Sequence, residues 1–318
     1  MLGYLIRLGD AYRRVLAVVL GIVGPRAAYR FTALLARLMY RSLDTVRLRT
    51  QAQVQAATAG TVRPEDLPRV AEASFIHRIW NLTDLLLVER LLHPGTYRRY
   101  GGALPEPFLG LLRTARDRRE PVILLTAYYG PFDLLPAYLG YNGIHAAVVY
   151  RPHRNPRFDA WRKRIRGRSG CELIPIQQAM NRVPAVLEAG GMVALLTDHH
   201  TEGRGVPATF LGLPTVAPRF VALLARQYRA VVAVAGIRRT RKPFHVEFAV
   251  TGLLKPEEWA ESPDSEHWIT TWYLGALEKL ILADPAQYLW SYARWGERMA
   301  GQLADAEPKV NSPRWPQT

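Results

Sequence analysis

Pro121-Val-Ile-Leu-Leu-Thr-Ala-Tyr-Tyr-Gly-Pro-Phe-Asp133 is the stretch from which the rest of the chain can be placed. Val122 to Thr126 are apolar or β-branched without a break, the pattern of a strand buried on both faces. Gly130-Pro131 stops that run, and the apolar residues from Phe132 onward start a helix. Strand, tight turn and helix N-terminus bring side chains and free N–H groups together, which is where α/β proteins place reactive groups. This turn carries Tyr128 and, five residues later, Asp133.

The same alternation extends along the chain. Apolar periodicity predicts helices over 109–118, 134–141, 158–168, 183–189, 216–228 and 268–283. Strands are predicted over 146–150, 172–176, 192–197, 231–237 and 245–250. Upstream, 45–60 and 64–92 are helical, the second opening on Pro64 with Glu65 and Asp66 in its first turn, as the helix dipole favours. The pattern predicts an α/β fold: a mostly parallel twisted sheet with helices on both faces, plus an N-terminal helical region. Residues 1–45 read as N-terminal helices that touch a membrane, 46–305 as the α/β domain, and 306–318 as a disordered tail.

Composition narrows the partners. The 318 residues carry a net charge of +15, so the chain attracts something anionic: nucleic acid, anionic lipid or an acidic carrier protein. No helix-turn-helix, zinc-finger or RNA-binding aromatic motif accompanies the charge, which sets nucleic acid aside. Cys171 is the single cysteine, so there is no internal disulfide and the compartment is a reducing one. The apolar run from Val15 to Gly24 is about half the ~20 residues that a spanning helix needs. Phe31 to Leu43 places Leu34, Leu35, Leu38 and Met39 on one helical face with Arg30, Arg37 and Arg41 toward its edges. Such a basic amphipathic helix lies in a membrane interface, and that is preferred here to a surface helix packed on its own domain.

Three loops follow three strands: Tyr128…Asp133, then Tyr150-Arg-Pro-His-Arg-Asn-Pro-Arg157, then Asp198-His199-His200 leading to Gly203 and Val206-Pro207. Together they resemble the late acyltransferases of lipid A synthesis (the lauroyl and myristoyl transferases), within the glycerolipid acyltransferase superfamily. Tyr128 and Asp133 stand where that family has His-x4-Asp/Glu. Arg151 and Asn155, followed by Arg166 and Arg168, match its second block. Asp198-His199, Gly203, Val206-Pro207, Gly212 and Thr215 match its third, and Asp284-Pro-Ala-Gln-Tyr-Leu-Trp-Ser-Tyr-Ala-Arg294 its closing segment. The resemblance implies transfer of an acyl chain from an acyl carrier protein or coenzyme A thioester to a lipid acceptor. It places the reaction at the cytoplasmic face of the inner membrane, with no cofactor beyond the acyl donor.

Acyl transfer needs a base poised near neutrality to take the acceptor's proton, and donors for the oxyanion. A phenol with a reference pKa near ~10 is protonated at pH 7, so Tyr128 is a donor and not a base. No histidine in the chain has Asp or Glu five residues later. The altered pair is therefore compatible with three activities. The chain transfers acyl groups with Asp133, or with His153, His199 or His200 as base; it binds acyl chain or lipid without turnover; or it runs a different reaction on an acylated substrate. In the first case Asp133 is the expected base, Tyr128 the donor to the oxyanion and Asp198 the residue that completes the catalytic set. Arg166, Arg168, Arg151, Asn155 and His199 are expected at the substrate, and Arg157, Arg162, Lys163 and Arg164 as docking surface. Arg151 and Asn155 are equally well explained as residues that fix their loop. Asp198-His199-His200 could hold a divalent metal, but the further carboxylates that such chemistry needs are missing, so no metal is expected.

Overall fold

The computed structural model describes residues 2–199, 201, 205–292 and 294–295, with side chains from residue 16 onward. His200, Gly203 and the tail at 306–318 lie outside the described residues. The expected α/β architecture is present. The helices are α1 (Leu2–Ser42), α2 (Asp44–Ala57), α3 (Leu67–Leu91), α4 (Glu106–Arg118), α5 (Leu135–Tyr141), α6 (Pro156–Gly167), α7 (Ala179–Glu188), α8 (Arg219–Tyr228) and α9 (Ser265–Leu282). The strands are β1 (Val122–Thr126), β2 (Ala147–Tyr150), β3 (Glu172–Pro175), β4 (Met192–Leu196), β5 (Val206–Phe210), β6 (Leu213–Ala217), β7 (Val231–Arg239) and β8 (Val246–Leu254).

Six strands form one sheet in the order β3-β2-β4-β1-β7-β8, parallel throughout except for the antiparallel edge strand β8. β1 lies at its centre and is buried at every position, which is why its sequence is apolar without alternation. Ile123 and Leu125 point to one face and pack with residues of α7, α8 and α9. Val122 and Leu124 point to the other and pack with α4, α5 and α6. The connection from β1 leads toward β2 and that from β4 toward β7, so the chain diverges between two adjacent strands. In an open α/β sheet the crevice at such a divergence, at the strand C-termini, is where ligands bind.

Two features differ from the sequence-based expectation. The helix expected over 216–228 begins at Arg219, because 213–217 pairs with 206–210 as the antiparallel hairpin β5–β6. Leu211 (φ 51) and Gly212 (φ 74) form its two-residue turn, the left-handed pair that hairpins favour. A leucine there hides the turn from sequence rules; the Glu278 carboxylate accepts the Leu211 N–H at 2.5 Å and the side chain is buried. Second, the two N-terminal apolar segments belong to one long element, α1, broken at Gly24 (φ 80, ψ 165) before Pro25.

Gly130, at the turn after β1, has φ +56, and a Cβ there would lie 2.0 Å from the Ile237 carbonyl oxygen. Gly143 has φ +80 with nothing within 4 Å. Gly143→Ala should therefore cost only the backbone term, about 1 kcal/mol, whereas Gly130→Ala should cost at least about 2 kcal/mol more. Urea unfolding of both variants checks the order; equal losses would show that the turn relaxes freely.

Candidate active site

Asp198 follows β4 and Tyr128 follows β1, so pairing of the two strands brings the residues together. Asp198 Oδ2 accepts the Tyr128 backbone N–H at 3.1 Å and the Tyr288 hydroxyl at 2.9 Å. Arg294 Nη1 lies 3.4 Å from the same oxygen. The Arg294 guanidinium is fully buried and stacks against the rings of Tyr128, Tyr292 and Tyr288 at 4.4, 4.8 and 5.1 Å. Burial works against its charge, but Asp198 and the three phenols outweigh that and keep it protonated. Tyr128 also meets Phe132 edge-on at 4.9 Å. Burial and then the Asp198 charge raise the Tyr128 phenol, so it remains a proton donor at neutral pH.

Asp133 lies in the single helical turn Phe132–Leu134 before α5 and is 6% exposed. Its Oδ1 accepts from Arg162 Nη2 at 2.7 Å and from Arg166 Nη2, both on α6. The i, i+4 spacing on α6 sets the two guanidinium groups on one face, so a single carboxylate holds both. Burial alone would raise the Asp133 carboxyl; Arg166 and Arg162 more than offset it and hold the carboxyl below its ordinary range. Arg162, expected as docking surface, is thus an inner residue of the site. Both guanidinium groups converge on the one oxygen, Oδ1.

A third buried carboxylate completes this edge of the sheet. Asp84 of α3 accepts from the Tyr29 hydroxyl of α1 and from Arg239 Nη2 at the end of β7. Arg239 also donates to Asn81 and lies 3.2 Å from His77 Nδ1. Burial lowers His77 well below its ordinary value, and the Arg239 charge adds to this.

The other expected site residues are spread more widely. Asn155 caps α6, accepting the Arg157 and Phe158 N–H groups at 3.1 and 3.3 Å, and so fixes its loop. His153 is tied into the same turn through Nδ1, which accepts the Asn155 N–H at 3.0 Å. Arg168 donates to the Val88 carbonyl at the end of α3, at 3.1 Å, and thereby points toward that helix. Arg151 is exposed after β2, and His199, half-buried, follows Asp198 directly. Among the described residues no group of three or more metal-type side chains is assembled. Sequence reasoning missed the parts played by Arg162, Arg294 and the Asp84 network. Only Arg294 left a signal, as the last residue of the closing segment.

Residues 109–297, more than half of the chain, match the model of a family described as bacterial lipid A biosynthesis acyltransferase. No curated protein matches the chain.

Asp133→Asn should remove about 3 kcal/mol of stability at pH 7, because both arginines lose their counter-charge in a buried place. The folded-state carboxyl lies below its unfolded value near ~3.9. Its stabilisation is thus complete above that value and lost as pH falls through the lower, folded one. Urea titrations should give a constant difference between wild type and variant from about pH 5 to 8 and a shrinking one below about pH 4. A difference independent of pH would mean that the clamp is not ionic.

Proposed function

The chain belongs to the bacterial lipid A biosynthesis acyltransferase family, whose reaction is acyl transfer to a lipid acceptor, and we propose that it performs such a transfer with its base moved away from the Tyr128–Asp133 pair. The donor is a long-chain thioester of acyl carrier protein or coenzyme A. The acceptor is a hydroxyl of a lipid or small molecule, met at the cytoplasmic face of the inner membrane. Residues 1–45 make the membrane contact in this scheme and 46–305 carry the chemistry.

The observation that carries the proposal is the arginine clamp on Asp133. A carboxylate held below its ordinary range by two guanidinium groups is a poor base at pH 7. Tyr128 is protonated there as well. We assign the role of base to His199, which directly follows Asp198, the carboxylate that accepts the Tyr128 N–H. Imidazole is the side chain whose chemistry suits proton transfer near neutral pH.

In the proposed step His199 takes the acceptor hydroxyl's proton as that oxygen attacks the thioester carbonyl carbon. The Tyr128 hydroxyl donates to the oxyanion, with the Arg294 charge against its ring. The carbon–sulfur bond then breaks, and the leaving thiolate takes the proton back from His199. Asp133 is here a positioning residue that fixes Arg162 and Arg166. A second activity, binding of acyl chain or lipid without turnover, is favoured by the same clamp, since it engages the carboxylate of the Tyr128–Asp133 pair.

Thioester consumption by purified protein with acyl carrier protein or coenzyme A donors and a lipid extract separates the two. Turnover by wild type should fall at least about 10²-fold in His199→Gln and by a comparable factor in Tyr128→Phe. A silent wild type beside an active Tyr128→His variant would identify a binding scaffold silenced at one position. Turnover that survives in His199→Gln would remove His199 as the base.

A further inference from the structure

Between α1, α3 and the β7–β8 connection lies a cavity of about 730 Å³. Six cationic side chains line it: Arg26, Arg30 and Arg37 from α1, with Arg239, Arg241 and Lys242 from the end of β7 and beyond. Asp284 is the one carboxylate on its wall, and its Oδ2 already accepts from Gln287 Nε2 at 2.8 Å. Among the described residues no carboxylate forms an ion pair with Arg26, Arg30, Arg37, Arg241 or Lys242. Arg239, 6% exposed, has an Nε without a hydrogen-bond acceptor among the described residues. Cations gathered this closely repel one another unless an anion joins them.

The helix that supplies three of these arginines has a second unpartnered side. In the part of α1 after Pro25, Arg26, Arg30 and Arg37 fall within about 40° of one another around the helix axis. Ala28, Tyr29, Ala33, Ala36 and Tyr40 are buried against the body. Phe31, Leu34, Leu35, Leu38 and Met39 are exposed, 38–58% each. They centre roughly 130° from the arginines. Residues 16–42 are also long and apolar enough to cross a bilayer, and most of this stretch is not buried in the protein. The helix thus has a face on the protein, a face of apolar side chains for acyl tails, and a basic edge between them, at headgroup depth.

We propose that this cavity binds the phosphate group of a membrane lipid's headgroup. Arginine forks match phosphate oxygens two at a time, and the cavity is of the size that holds a headgroup rather than a bare ion. The cavity and the candidate active site share a wall. Gln287 binds Arg239 through its side chain, at 2.7 and 2.9 Å, and its carbonyl accepts the Gly130 N–H at 3.0 Å. Gln287 thus links the cavity wall to the turn that carries Tyr128.

The test uses full-length protein, flotation with vesicles and no acyl donor, so its outcome is independent of whether the chain turns over thioester. Vesicles of galactosyl diacylglycerol contain either phosphatidic acid or oleate at matched surface charge. Binding to the phosphatidic acid vesicles should be about tenfold tighter. The preference should disappear in the Arg30→Gln/Arg241→Gln double variant, both positions being exposed and tolerant of change, and persist in Arg113→Gln/Arg116→Gln on α4. Equal binding to the two vesicle types, or a preference that survives in the first double variant, would overturn the proposal. So would thermal stabilisation by millimolar inorganic phosphate together with no binding to phosphatidic acid vesicles, which would mark a site for the free anion.

Discussion

Three carboxylates without solvent, Asp84, Asp133 and Asp198, meet arginine guanidinium groups along one edge of the sheet, and the arrangement of the chain around that edge follows from their pairing. Each charge taken out of water costs several kcal/mol on its own, so neither member of a pair can be placed without the other. The pairs draw on distant parts of the sequence. Asp84 and Arg239 join α3 to β7, Asp133 with Arg162 and Arg166 joins the turn after β1 to α6, and Asp198 with Arg294 joins β4 to the closing segment. That segment is further secured by Ser74, whose hydroxyl donates to the Tyr288 carbonyl at 2.6 Å, and by Gln53, whose amide donates to the Trp290 carbonyl at 2.6 Å. Helices, sheet and closing segment thus converge on a single buried polar layer.

That layer also decides which chemistry is open. Tyr128 and Asp133, on the same turn after β1, have separate partners. Tyr128 packs on Arg294 and Phe132, and Asp133 is taken by α6. The carboxylate pairs with Arg162 and Arg166. An ion pair of this kind fixes groups firmly but makes a weak proton acceptor. The Arg294 guanidinium lies against the Tyr128 ring, while burial and the Asp198 charge keep the phenol protonated.

The sheet was legible in the sequence because β1, β4 and β7 are buried on both faces and so are written as unbroken apolar runs, which do not depend on distant partners. The β5–β6 hairpin was not, because Leu211 occupies a turn position normally held by Asn, Asp or Gly, and its left-handed backbone is supported by Glu278 sixty-seven residues away. The same distinction runs through the site. Tyr128, Asp133 and Asp198 could be placed from motif spacing, since each follows a strand. Arg162 could not be told from its neighbours Lys163 and Arg164, because all three are basic and only the helical phase relative to Asp133 sets it apart. Asp84, Tyr29 and Arg239 lie in no motif, and nothing local marks them as buried.

The helix α1 shows how one element serves both layers of the molecule. Its inner face completes the Asp84 network through Tyr29, whose ring lies 5.1 Å from that of Trp80. Its outer face leaves Phe31, Leu34, Leu35, Leu38 and Met39 exposed among the described residues. A helix detached from the body could keep the outer face but would leave Asp84 and Arg239 without the Tyr29 hydroxyl, in a place that water does not reach. The position of the apolar face relative to the strand C-termini is therefore set by a buried hydrogen bond.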